Sequence, residues 1–333
     1  MTARRLFSTL LLAVTLAVST TSCVTKMSAD EKERRLEIYR ETCGAYLSMG
    51  EWERAEDQAL RGLALDGEDF DLRLYLGRAL LNKGTIDDIL KAEYTLEELE
   101  ADGDFRVPLS LAEVLERKGI AYEEAADAVA SGERATAAAD PQVRAAELQS
   151  TAQKSFRRSL ELFEKALDLQ PNDTEVLNGL VRVTALLGEY EDSLAWGAAV
   201  VSITTSDRLF WRSQLERPNI SPQEEERMWT NINSLRELEQ AVHMHSATIL
   251  NSKLGRPDDA VRELDAIVAV DPDVTEVHSQ RAQLLVKLGR YEEAIAAIDD
   301  YLRLAGLPFD HPDIQRAYRI RRDCETALVR AGD

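Results

Sequence analysis

Four histidines, His243, His245, His278 and His311, are the side chains best suited to acid–base or metal chemistry in this chain. His243 and His245 stand two apart, so on a helix they point about 200° from one another and cannot share a metal. There is no HExxH, no CxxC, no glycine-rich phosphate loop and no GxSxG, so the common frames for zinc, phosphate or acyl-transfer chemistry are missing. Acid pairs such as Glu123-Glu124 and Glu292-Glu293 read as solvated helix faces. No catalytic residue, metal ligand or cofactor is expected. The cysteines divide into two kinds. Cys43 and Cys324 lie near opposite ends of the sequence, and a bridge requires alpha carbons within about 7 Å; Cys43 reads as a small core residue. Cys23 closes an apolar leader, where its thiol is available for modification.

That leader has the order of a secretion signal. Arg4 and Arg5 supply the positive start, and Leu6 to Val18 is apolar apart from Ser8, Thr9 and Thr15. The run is too short for a mature membrane span, which needs about 20 residues. Thr21 and Ser22 directly before Cys23 resemble the bacterial lipoprotein cleavage box, with Thr20 where that family has leucine. The resemblance implies removal of residues 1–22, lipidation of Cys23, a polar tether over 23–33 and, with Val24 next, the outer membrane facing the periplasm. The alternative is ordinary cleavage that leaves Cys23 a free thiol.

The net charge is −20, and removing residues 1–22 takes away Arg4 and Arg5 and no acid, leaving about −22. Phosphate neutralisation needs a basic face, so this charge argues against nucleic acid or anionic lipid as the main partner.

What must position any functional residue is a repeat. Gly50 and Gly84 stand 34 residues apart, and so do Gly255 and Gly289. A fixed period of this length marks stacked helix-turn-helix units. Around each glycine, apolar residues recur at three- and four-residue spacing: Tyr39, Cys43 and Tyr46 before Gly50, then Trp52, Ala55, Ala59 and Leu63 after it. Ala282, Gly289, Tyr291 and Ala294 occupy the places that the tetratricopeptide repeat family reserves for a small residue, the turn glycine, an aromatic and an alanine. Gly255, Ala260 and Pro272 do so one repeat earlier, with Pro257 at the aromatic site; Leu180, Gly188 and Tyr190 in the middle; Leu76, Gly77, Ala79 and Gly84 near the start. The chain is thus similar to that family. The resemblance implies an all-α, right-handed solenoid of six or seven repeats that binds other proteins or extended peptides.

The period slips twice. Gly84 to Gly188 is 104 residues and Gly188 to Gly255 is 67. Repeats are expected over 34–103, 174–203 and 255–308, an enlarged region over 104–173, an irregular insertion with a long helix over 204–254, and a capping helix over 309–333. Asp140-Pro141 is a helix start, predicting helices near 107–131 and 141–169. Ser221-Pro222-Gln223-Glu224 is a capping box that opens a helix to about 253, with 206–220 as its connection. Trp196, Phe210, Trp211 and Trp229 read as filler where the stack is interrupted, or else as binding residues.

In this family the first helix of each repeat lines an inner groove. That frame puts Arg40 and Leu47 there, then Leu74, Arg78 and Asn82, then Asn178, Arg182 and Ala185, then His245, Ile249 and Lys253, and finally Gln283 and Lys287. Arginine forks suit carboxylates and asparagine can clasp a peptide backbone, so the groove is expected to hold an extended peptide or an acidic face. The lysine and asparagine clamp of the chaperone-tail-binding members is not reproduced. The implied role is a lipid-tethered scaffold for assembling an envelope complex, similar in architecture to the pilus-biogenesis pilotins; the alternative is a chaperone-like capturer of periplasmic chains.

Overall fold

The computed structural model describes residues 27–99, 103–133 and 140–332; the leader and Cys23 lie outside the described residues. Among those described there are thirteen helices and no strand, and no helix is long and apolar enough to cross a membrane. The described residues divide into two compact units, those up to Tyr75 and those from Leu76 onward.

The first unit holds α1 (Ala29–Ser48), α2 (Trp52–Leu63) and the start of α3 (Phe70–Lys83). The helix α1 begins well before residue 34, which corrects the expected tether. Ser28 accepts the Glu31 N–H at 3.1 Å, and Asp30 with Glu31 puts acid in the first turn, where the helix dipole favours it. Cys43 is the small core residue its spacing required. It is fully buried, its Sγ–H donates to the Ala55 carbonyl at 3.2 Å, and burial pushes its thiol pKa up to about 12.

The second unit takes the rest of α3 and continues with α4 (Ile86–Glu97), α5 (Arg106–Ala130), α6 (Pro141–Leu169), α7 (Thr174–Leu187) and α8 (Tyr190–Gln214). It ends with α9 (Pro222–Ser252), α10 (Pro257–Val270), α11 (Thr275–Lys287), α12 (Tyr291–Leu304) and α13 (Pro312–Gly332). From α4 onward each helix packs on the next in chain order, and α5 also touches α7. This is the pattern of stacked hairpins in which alternate helices share a face. The five frame glycines each fall between paired helices with φ between +64° and +81°, a conformation that costs glycine nothing and other residues about 1 kcal/mol or more.

Two close approaches hold the enlarged α5–α6 hairpin in the stack. A Cβ on Gly119 would lie 2.3 Å from the Phe156 ring, and one on Gly179 would lie 2.2 Å from Phe163. The missing side chains let both rings sink completely into the core beside Leu109, Ala112, Val176 and Leu180. Truncating such a ring costs about 3–5 kcal/mol. At the tip, Asp140 caps α6 by accepting the Gln142 N–H at 2.9 Å, with Pro141 at the first helical position.

The second slip in the period is also a long hairpin, not an irregular insertion. α8 runs past residue 203 to Gln214, so the expected connection over 206–220 shrinks to the few residues before Pro222. No proline or glycine intervenes between Gly197 and Pro218 to stop it. Arg208 fastens the extension to α9 through Glu239 at 3.1 Å, and the Glu239 side chain is only 2% exposed. The Ser221–Glu224 capping box forms both of its bonds. At the far end α13 buries Ile314, Ala317 and Cys324, closing the last apolar face.

Candidate functional site

The first helix of each hairpin in the second unit is α3, α5, α7, α9 or α11. On α7, Glu175, Asn178 and Arg182 stand at three- and four-residue spacing and so share one face; on α5, Glu113 and Glu116 do the same. The side chains from these helices meet. Both forks of Arg182 grip both oxygens of Glu116 at 2.8 Å, and the Glu116 side chain is 7% exposed. Arg78 reaches from α3 to Glu175 on α7 at 3.2 Å. Glu113 stands among these groups, with Glu175, Arg78, Arg182 and Glu116 all acting on its charge. It forms no hydrogen bond or ion pair among the described residues. Burial first, then the charges of Glu175 and Glu116, push its carboxyl up to about 7 against the opposing pull of Arg78 and Arg182.

His245 faces the same cluster from α9. Its Nε2 is buried without a partner, and burial, helped by Arg182, holds its pKa below the ordinary value. His243 turns the other way, donating from Nδ1 to Glu263 on α10 at 2.7 Å, the divergence that two-residue spacing on a helix dictates. The remaining histidines serve the helix starts: His278 Nε2 donates to the Pro272 carbonyl at 2.8 Å, and His311 Nδ1 accepts the Asp313 N–H at 3.3 Å.

Further along the same face the character changes. Thr248, Asn251 and Ser252 of α9 and Gln280, Gln283 and Lys287 of α11 line a cavity of about 310 Å³. Its polar groups are mostly neutral amides and hydroxyls, with the capacity to donate to and accept from a peptide backbone.

The other expected groove residues fare unevenly. Arg40 belongs to the first unit and is occupied there, by Asp69 at 2.6 Å and Glu33 at 2.9 Å. Asn82 turns its amide back onto the Arg78 carbonyl at 2.8 Å, and Asn178 is half-buried on α7. Lys253 lies over the Tyr190 ring, 5.9 Å from its centroid. Leu74 and Ile249, expected on the groove surface, are core residues. Glu113 and Glu116 escaped the sequence reading because they sit where the period slips and the frame cannot number them. Glu175 was within reach, three residues before Asn178.

Trp196 packs against the core as filler. Phe210 and Trp229 do not; they are 55% and 44% exposed on the long α8–α9 hairpin, which corrects the expectation that all four aromatics fill a junction.

Three segments, residues 45–94, 151–208 and 252–308, match the model of the tetratricopeptide repeat. The chain is similar to a solved thermophilic tetratricopeptide repeat protein of Thermus thermophilus, at 15% identity over 77% of this chain and 99% of that one, TM-score 0.44. It is similar to Nro1, described as a hypoxic regulator of sterol synthesis and nuclear import adaptor, at 14% identity over 87% and 93%, TM-score 0.44. A tetratricopeptide repeat protein from Parabacteroides merdae gives 11% identity over 87% and 99%, TM-score 0.37. No curated protein sequence matches. The repeat frame, the matched segments and the stacked hairpins agree: the chain is an all-α solenoid of tetratricopeptide repeats.

Proposed function

We propose that this protein is a non-catalytic scaffold, held at the outer membrane of a bacterial cell by lipid on Cys23, that assists assembly of an envelope complex. It does so by seating an extended segment of a partner protein along the inner face of its second unit. Tetratricopeptide repeats mediate protein–protein interaction, and the observation that carries the reading here is the inner face itself. One stretch presents a fixed array of charges and the next a 310 Å³ recess of amides. An extended strand has one backbone amide every 3.3 Å or so, and rows of neutral side-chain donors and acceptors suit it. The membrane part rests on the leader and on Thr21-Ser22-Cys23; two or more acyl chains give stable anchoring, since each buried methylene adds about 0.8 kcal/mol.

Two measurements test this. Mass spectrometry of the N-terminus, with and without globomycin, is expected to find diacylglyceryl on Cys23 and its loss on inhibition; an unmodified thiol removes the anchor. Crosslinking from residues 251 and 283 in detergent-solubilised envelopes is expected to capture one dominant partner. A broad mixture of unfolded chains in its place points to the second reading, a chaperone-like capturer, which the amide recess also favours because amides read backbone and not sequence.

A further inference from the structure

We propose that a second cavity, between α8, α9 and α10, receives a tyrosine side chain of a partner protein. It stands apart from the seat on the inner face and does not depend on it: His243 lines it, and on a helix His243 points about 200° from His245. α8 and α10 each pack on α9, and together the three helices enclose about 610 Å³, within the roughly 300–1,000 Å³ of ligand sites. Leu194, Val201 and Val242 supply apolar lining, and two polar side chains open on it unpaired. Ser246 is only 6% exposed, and its hydroxyl makes no hydrogen bond among the described residues. Other buried hydroxyls do not go without: Ser155, Ser159, Thr184, Ser193 and Thr204 each donate to a backbone carbonyl at 2.6–3.1 Å. Ser110 also lacks a partner, but its Oγ is sealed inside the protein, whereas Ser246 lines open space. A Cβ on Gly197 of α8 would stand 3.4 Å from Ser246 Oγ, so the hydroxyl is aimed at the gap that this glycine leaves. The second group is His243, three residues earlier and so on the same face of α9. Glu263 holds its Nδ1–H at 2.7 Å, which leaves Nε2 as a lone-pair acceptor without a partner among the described residues.

The charges at the rim are matched within the protein. Arg256 lies 3.1 Å from Glu191 and 2.5 Å from Asp259, and Arg262 also pairs with Asp259. An arriving carboxylate or ammonium would have to break one of these pairs, or the hold of Glu263 on His243; a neutral group does not. What the cavity leaves unused is one acceptor, one hydroxyl and an apolar surface. A phenol answers all three. Its ring covers the apolar lining, its O–H donates to His243 Nε2, and its oxygen accepts from the Ser246 hydroxyl. An indole donates but accepts nothing, which leaves Ser246 unpaired. A phenylalanine ring leaves both groups unpaired, and burying polar groups without partners is unfavourable. Side-chain amides have the hydrogen bonds but not the apolar bulk. Tyrosine is also among the residues that dominate protein–protein binding by filling desolvated pockets.

The test uses the full-length protein in mild detergent, with its leucine and valine methyl groups labelled for NMR. N-acetyl-tyrosine amide is titrated in, and the phenylalanine and lysine amides serve as comparisons. The methyl signals of Leu194, Val201 and Val242 are expected to shift, and tyrosine to bind about fivefold to tenfold more tightly than phenylalanine, the worth of one or two neutral hydrogen bonds. Ser246→Ala and His243→Leu are each expected to remove most of that margin while leaving the phenylalanine affinity unchanged. Ser246→Ala deletes a hydroxyl bonded to nothing in the protein, so its thermal melt should match or exceed that of the wild type, and it carries the test if His243→Leu does not fold. Phenylalanine binding as well as tyrosine, or a margin untouched in Ser246→Ala, overturns the proposal. So does the lysine amide binding most tightly, or the absence of any shift at these three methyl-bearing residues.

Discussion

Two stretches of one inner face solve the problem of holding a partner in opposite ways. Across α3, α5 and α7 the polar groups are charged and mostly locked to one another: Arg182 to Glu116, Arg78 to Glu175. Across α9 and α11 they are amides and hydroxyls lining an open recess, Asn251, Gln280 and Gln283 among them. Charges pair helix to helix and therefore contribute to the stack; neutral groups facing a recess do not. The first stretch should be felt in stability, the second only in affinity.

Removing Arg182 is the strongest way to break that contrast. Arg182→Ala strands Glu116, whose side chain is 7% exposed, and an uncompensated buried charge of this kind costs about 3–5 kcal/mol. Because the Arg182 side chain is itself 39% exposed, water softens the loss, and about 2–3 kcal/mol is expected in urea unfolding. Gln283→Ala, from the other stretch, should stay within about 0.5 kcal/mol. Equal effects would mean that the ionic stretch contributes nothing particular to the stack.

The pH dependence sharpens the same contrast. Glu113 has a folded pKa of about 7, above the 4.5 of a free glutamate, raised first by burial. The folded state therefore holds the proton more tightly than the unfolded one. This contribution to stability is fully present below pH 4.5 and is lost as pH rises through 7. Glu113→Gln cannot lose it, so relative to wild type the variant should gain on the order of 1–3 kcal/mol between pH 5 and pH 8. Gln280→Ala should show no such pH-dependent difference. Paired melts at the two pH values measure both.

The contrast also shows what a sequence can and cannot disclose. The turning glycines, the Asp140-Pro141 start and the Ser221 capping box are local devices, readable because each acts within a few residues. Where the 34-residue period holds, the frame placed Arg78, Arg182 and Lys287 on the first helices. It could not tell that Arg40 would be consumed by Asp69 and Glu33, because a salt bridge depends on which long side chain is nearest in space. It could not place Glu113 or Glu116, which lie in the slipped stretch. The repeat length alone ends α8 near residue 203, whereas the absence of any breaker before Pro218 lets it run to Gln214. The exposure of Phe210 and Trp229 follows from that longer helix.

The amide stretch predicts a gentler effect. Replacing Asn251 and Gln283 together by alanine removes neutral hydrogen bonds worth about 0.5–1.5 kcal/mol each. Affinity for any extended peptide should fall severalfold, by a similar factor for basic and neutral sequences and without pH dependence. If the double variant lost stability and kept its affinity, the division into a stabilising and a holding stretch would be wrong.

The smallest expected effect lies at the end of α9, just beside that recess. Lys253 sits over the Tyr190 ring at 5.9 Å and is exposed to solvent. A cation over an aromatic face at an exposed site contributes about 0.5–1 kcal/mol, and salt screens surface charges little at contact distance but strongly beyond about 10 Å. Lys253→Met keeps a flexible apolar chain against the ring and removes only the charge. Stability should drop by about 0.5 kcal/mol, and peptide affinity should not change if Lys253 is committed to tying α9 to the start of α8. If instead stability is unmoved and affinity falls, the lysine belongs to the partner, and the holding stretch carries a charge of its own.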